Sequence, residues 1–215
     1  MKTKAGALYR KLSGQIATAY DTIIDLRICG KPLGKYVPSI DRKIKQATGS
    51  ESARYWTLEK VFRDVNFSPD DKLIDVGCGK GRVLAFLEKN KFPGQLYGIE
   101  LNPIVAEYAQ SWANKYNNIN IFSGDAFGIN YDDYTVIMMC RPFLEDMYLN
   151  FLDKLEADVT HPITVILYVD NYMAKHVADR SGWSMIKKDC EFKKGIIAPN
   201  YYPVHYSIWN YNPVK

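Results

Sequence analysis

The chain is poor in residues that hold metals or cross-link small domains. It has four cysteines, Cys29, Cys78, Cys140 and Cys190, none in a C-x-x-C pair, and three scattered histidines, His161, His176 and His205. These spacings offer neither a zinc cluster nor a disulfide framework, so the expectation is a reduced, metal-free, cytoplasmic protein. No uninterrupted apolar stretch approaches the roughly 20 residues that cross a bilayer. Lys2 and Lys4 are followed by no compact apolar run with a small-residue cleavage pattern, so neither a secretory leader nor a membrane partner is expected. Internal repeats and low-complexity tracts are also missing.

What remains is ordinary globular material. A chain of 215 residues with 47% hydrophobic content fits one α/β domain with an appendage, and buries roughly 70% of its unfolded surface. Its charge is uneven. Residues 1–49 hold ten Lys and Arg against Asp21, Asp25 and Asp41, a local +7 in a chain whose total is +4, which leaves −3 for the rest. A basic segment suits a phosphate-rich partner. Aromatic residues are sparse there and no nucleic-acid module is recognisable, so a solvated helical arm is the preferred reading.

Leu8, Leu12, Ile16, Ala19, Ile23 and Leu26 recur at three- and four-residue steps, which predicts a helix over residues 5–27. Gly30-Lys31-Pro32-Leu33-Gly34 ends it. Residues 31–50 read as a loop, and 52–65 as a second helix with Tyr55, Leu58, Val61 and Phe62 on one side. From Lys72 strands and helices alternate. Strands are predicted at 72–74, 95–100, 119–122, 134–139 and 163–169, with helices after Gly81 and over 103–115, 143–155 and 172–179. That alternation argues for a parallel sheet covered on both faces. Residues 183–192 and 204–211 read as two late strands without a crossover helix between them, hence an antiparallel hairpin at one edge.

The most informative stretch is Asp75-Val76-Gly77-Cys78-Gly79-Lys80-Gly81. An acid ends a buried strand, and three glycines at every second position make a turn whose backbone can approach a bound nucleoside. The helix that follows contributes free N–H groups. Dinucleotide sites prefer G-x-G-x-x-G, and here the third glycine comes one residue early. The stretch resembles the first motif of class I S-adenosylmethionine-dependent methyltransferases. Tyr97-Gly98-Ile99-Glu100-Leu101-Asn102-Pro103 is similar to that family's second motif, and Ser123-Gly124-Asp125-Ala126-Phe127 follows the third strand in the order the family requires.

The resemblance implies a Rossmann-like seven-stranded, mostly parallel sheet with an antiparallel C-terminal hairpin and helices on both faces, over residues 50–215. Residues 1–49 are then an N-terminal helical arm or cap over the pocket. S-adenosyl-L-methionine is the implied cofactor, held by Asp75, Gly77, Cys78, Gly79, Gly81, Glu100, Leu101, Asp125, Ala126 and Cys140. Glu100 would accept from the ribose hydroxyls, and Asp125 from the adenine amino group. Asp75 would orient the loop or receive the aminoacyl end through water; the plainer reading makes it a partner for nearby amides. On these assignments Gly79→Val blocks the cofactor with little loss of fold, and Glu100→Ala weakens binding by about 1–3 kcal/mol.

The fourth motif departs from the family. Enzymes that methylate amide or exocyclic amino nitrogens usually carry an Asn/Asp-Pro-Pro-aromatic run after the fourth strand. Here Cys140 and Arg141 precede Pro142 and Phe143, and no catalytic residue is assigned. Arg141 and Phe143 are candidates for substrate contact. Arg141 either holds a carboxylate or phosphate of the acceptor or pairs with Glu145 four residues on. Tyr36, Tyr55, Tyr168, Tyr201 and Tyr202 are candidates for a pocket wall or lid. The implied activity is methyl transfer to an unidentified acceptor, a small molecule or protein rather than DNA. The alternatives are a non-catalytic methyltransferase-like module, an RNA methyltransferase that uses the basic arm, and a nicotinamide-dependent oxidoreductase.

Overall fold

The computed structural model describes residues 4–41, 43, 45–170, 172–191 and 202–214. One sheet contains β1 (Lys72–Val76), β2 (Gln95–Glu100), β3 (Ile119–Ser123), β4 (Val136–Met139), β5 (Ile163–Tyr168), β6 (Trp183–Glu191) and β7 (Val204–Tyr211). Their order is β3-β2-β1-β4-β5-β7-β6. The first five strands are parallel, and β7 runs antiparallel between β5 and β6. This is the Rossmann-like sheet with its antiparallel C-terminal pair. Phe192, read as the end of β6, lies outside the described residues, as does Tyr201.

Side-chain alternation makes the central strands apolar on both faces. Val136, Met138 and Ile166 join one core layer, whereas Ile137, Met139, Val165 and Leu167 join the other, as expected for strands covered on both sides. The first layer packs α2 (Tyr55–Phe62), α3 (Arg82–Lys89) and α4 (Pro103–Ala113); the second packs α5 (Glu145–Asp158) and α6 (Met173–Ala178). At the start of α4 the Asn102 side chain accepts from Ile104 N at 3.1 Å, and Pro103 occupies the first turn, a position where its missing N–H costs nothing.

The first helix, α1 (Lys4–Cys29), differs from what its periodicity suggests. Leu8, Leu12, Ile16, Ile23 and Leu26 are 49–58% exposed, while Ser13, Ala17, Asp21, Ile24, Asp25 and Ile28 are buried. Ion pairing sets this rotation. Arg82, the first residue of α3, binds Asp25 through two nitrogens at 2.6 and 3.1 Å, and Arg54 binds Asp21 at 2.8 Å. Tyr55 Oη donates to Asp25 at 2.9 Å and Arg82 Nη1 to the Ala53 carbonyl at 3.1 Å. Buried charges must be paired, so the aspartates turn inward and the Leu/Ile stripe turns out. The described residues contain no helix long and apolar enough to cross a membrane.

Two boundaries move for a shared reason. Residues 46–48 run antiparallel to 142–144: Leu144 N donates to the Gln46 carbonyl and Thr48 N to the Pro142 carbonyl, both at 2.9 Å. α5 therefore starts at Glu145 rather than Phe143. Ser50 pairs with Val37, and Ser52 Oγ donates to the Leu33 carbonyl at 2.6 Å, which keeps 50–54 extended and delays α2 to Tyr55.

Candidate functional site

The strand order reverses between β1 and β4, and a crevice opens there beyond the carboxyl ends of the strands. It encloses about 880 Å³, including space open to solvent, a size suited to a nucleoside-like ligand. The glycine turn forms one wall. Gly77 N and Cys78 N donate to the Ile99 carbonyl at 2.9 and 3.0 Å, which ties the turn to β2. Gly77 and Gly79 have φ of +72° and +55°, and a Cβ on them would meet Pro142 Cβ at 2.6 Å and Ser50 Oγ at 2.5 Å. Glycine is thus required by the backbone and by the neighbouring chain. Gly79→Val accordingly strains the loop itself, contrary to the expectation of a clean block.

Besides Glu51 on the opposite side, three carboxylates at the strand ends line the crevice. Asp75 is buried, and its Oδ1 has no hydrogen-bond partner among the described residues. Burial, with a smaller contribution from the Glu100 charge, pushes its pKa up to about 8. The plainer reading, a partner for nearby amides, does not apply to that oxygen. Glu100 accepts from Gly79 N at 2.9 Å through Oε2 and from Asn102 N at 2.8 Å through Oε1, and burial raises its pKa. Asp125 accepts from Phe127 N at 3.0 Å, in an Asx-type turn, and pairs with Lys45 Nζ at 2.7 Å. Burial would raise its pKa, but the Lys45 bond and the Phe127 amide outweigh this and hold it below the ordinary carboxylate range.

Leu101, Ala126, Cys140 and Phe143 also line the crevice. Gly81 does not. It sits at the start of α3 against the Trp112 ring, where a Cβ would approach to 2.8 Å. Arg141 lies in a second cavity beyond Cys140, together with Tyr36, Tyr168, Tyr172 and Tyr202. It does not pair with Glu145, whose carboxylate meets Lys175 at 2.7 Å and His176 at 2.5 Å. Tyr55 belongs to the buried ion network, away from both walls. Burial raises the Cys78 and Cys140 thiols well above their usual range, with further contributions from Asp75 at both and from Glu100 at Cys78. Neither is poised as a thiolate.

Sequence reading gave residues 1–49 as an arm or cap but named none of the far wall's residues for the site. Lys45, Ala47, Thr48, Gly49, Ser50 and Glu51 cross over the crevice opposite the glycine turn. The small polar run Thr48-Gly49-Ser50-Glu51-Ser52 is the one local sign of it, and that pattern equally describes any loop. No group of three or more potential metal ligands occurs among the described residues.

Comparisons with known proteins agree with this architecture. Residues 73–155 match the family model described as a methyltransferase domain. A methyltransferase from Pyrococcus furiosus superposes with a TM-score of 0.63 at 14% identity, over 93% of this chain and 98% of that one. An RNA methyltransferase from Salinibacter ruber, solved with S-adenosyl-L-homocysteine, gives 0.57 at 16% identity, over 76% and 95%. A probable ribosomal RNA small subunit methyltransferase A from Methanosarcina barkeri is 24% identical over 86 residues, 40% of this chain but only 29% of that protein's length. The match over residues 73–155 and the sheet order together give this chain the fold of the class I Rossmann-like methyltransferases.

Proposed function

We propose that the chain binds S-adenosyl-L-methionine in the glycine-turn crevice and transfers its methyl group to an acceptor that enters beside the end of β4. The observation that carries this reading is the buried, unpartnered Asp75 Oδ1 on the crevice wall. A buried acceptor without a donor is costly, and the aminoacyl ammonium of the cofactor is the donor it lacks. Glu100 uses one lone pair of each oxygen on an amide, so acceptor capacity remains for two ribose hydroxyls. Asp125 and Ala126 stand together on the wall assigned to the adenine, and the Lys45 pair leaves Asp125 Oδ1 and Oδ2 with further lone pairs. Gly77, Cys78 and Gly79 supply the close backbone surface, and Leu101 an apolar edge.

When bound, the cofactor supplies a sulfonium methyl already activated toward attack by an oxygen, nitrogen, sulfur or carbon nucleophile. The protein's own task is then alignment and exclusion of water, which can contribute several kcal/mol. Cys140, Pro142 and Phe143 wall the crevice on the β4 side and the 45–53 segment closes it opposite. We read residues 1–49 as the cap over this pocket and residues 50–215 as the methyltransferase domain.

A small-molecule or protein acceptor is the leading reading, because the Asn/Asp that would accept from a base or glutamine amino group is replaced by Cys140. The names of the Salinibacter and Methanosarcina proteins, together with the +7 of residues 1–49, favour RNA as the second. Incubation with methyl-labelled cofactor and fractionated cell extract separates them. Label in small molecules or protein supports the first, and label in RNA the second. Calorimetric binding of the cofactor with no label in any fraction makes the chain a non-catalytic module, and absence of binding rejects the whole reading.

A further inference from the structure

The end of β4 opens into a second cavity that shares Thr48, Gly49 and Cys140 with the crevice. Building on the reading that the crevice holds the methyl donor, we propose that this cavity receives an acceptor bearing a carboxylate or phosphate, and that Arg141 is the group that holds it. Arg141 has φ of +49°, and Val169 at the end of the adjacent strand β5 has φ of +56°; both line the cavity. Left-handed backbone is sparsely occupied by non-glycine residues, least of all by β-branched ones, and such strain concentrates at ligand sites. The strained peptide is clamped by Thr48, whose Oγ1 donates to the Arg141 carbonyl at 2.9 Å.

The electrostatics point the same way. Among the described residues no carboxylate pairs with the Arg141 guanidinium. Glu145 is occupied by Lys175 and His176. Arg54, also on the cavity wall, is occupied by Asp21 at 2.8 Å. Glu51 is the one carboxylate among the described lining residues and makes no ion pair with Arg141. A half-buried planar cation with two parallel N–H donors and no carboxylate partner among the described residues matches an oxyanion bidentately.

The test uses nitrogen-15-labelled protein saturated with S-adenosylhomocysteine, titrated with inorganic phosphate in one arm and acetate in the other. The Arg141 Nε–H resonance is assigned by its loss in Arg141→Gln. A saturable shift of that resonance is expected, and the arm that saturates at lower concentration identifies the anion. No saturable shift in either arm, or the same shifts elsewhere in Arg141→Gln, overturns the proposal. Failure of S-adenosylhomocysteine to bind at all counts against the donor crevice instead, since the titration of the free protein still reports on Arg141.

A second, independent observation lies on α1. Tyr9, Leu12, Ile16, Ala19, Ile23 and Leu26 follow at steps of three, four, three, four and three, and all are exposed. A strict stripe of this kind is a heptad seam rather than a broad core-facing surface. Ile16 and Ile23 fall at a, and Leu12 and Leu26 at d, the choice that favours two parallel strands. Of the flanking residues Leu8, Gln15 and Thr22 on one side and Ser13, Tyr20 and Arg27 on the other, only Arg27 is charged, short of the continuous Lys/Arg border of a helix lying on anionic lipid. Two such seams would together bury on the order of 1,000 Å², at the lower limit for a specific interface.

We infer that a second copy of this chain covers the stripe, α1 against α1. Light scattering on the full chain is expected to give twice the 24.6 kDa of one chain, and Ile16→Glu with Ile23→Glu to halve it. Unchanged circular dichroism and melting in the double variant would show that the fold survives. A monomeric wild type at high micromolar concentration, or a dimer untouched by the double substitution, overturns the inference, as does a mass increase that appears only with anionic vesicles.

Discussion

Asp75 concentrates the chemistry of the crevice in one atom pair. Its pKa near 8 results first from burial and then from the Glu100 charge. Between the ordinary carboxylate range near 4 and pH 8, the folded chain holds a proton that the unfolded chain has lost. The stability Asp75 contributes is therefore full below about pH 4 and is lost as pH rises through 8. Asp75→Asn is expected to match the wild type at pH 4 and exceed it at pH 8 in urea unfolding of the ligand-free protein. If the ammonium of S-adenosylhomocysteine ionises this group, binding at pH 7 releases a proton. Calorimetry in two buffers of different ionisation enthalpy should show that release in the wild type, and weaker binding without it in Asp75→Asn. Glu100 is a less clean probe. Its removal also strips the acceptors from Gly79 N and Asn102 N, so a loss in Glu100→Ala combines ligand and loop.

At the scale of elements, α1 is held to the start of α3 by the Asp25–Arg82 pair, which is nearly inaccessible to solvent. Removing one partner leaves the other charge buried and alone. Asp25→Ala is expected to cost about 3–5 kcal/mol in denaturant unfolding, and the double change with Arg82→Leu should cost less than the sum of the single changes. Equal additivity would show that the pair does not couple the two helices. The helix itself was legible in its three- and four-residue steps, and β2 and β7 were legible to the residue. The rotation of α1 was not legible. It depends on an arginine 57 positions away, and an apolar stripe at helical spacing looks the same whether it faces the core or a second chain.

The whole molecule brings five separate segments around one crevice: residues 45–53, the turn after β1, the ends of β2 and β3, and the stretch after β4. A ligand that bridges them binds the folded state alone, and mass action then stabilises the protein. S-adenosylhomocysteine at a hundredfold excess over its Kd should add about 2.7 kcal/mol to unfolding, seen as a rise in Tm. NAD at the same concentration should add nothing if the early third glycine excludes a dinucleotide. The reverse pattern would favour the oxidoreductase reading.

The order of strands, the glycine turn and the acids at successive strand ends were written in the sequence, because each rests on neighbours within a few residues: a period of two, a turn that needs positive φ, a carboxylate closing a strand. The far wall of the crevice, the exclusion of Gly81 from it, the release of Arg141 from Glu145 and the outward Leu/Ile stripe were decided only by tertiary structure. Each depends on which distant charge or carbonyl reaches a group first. Local periodicity carries no information about that competition.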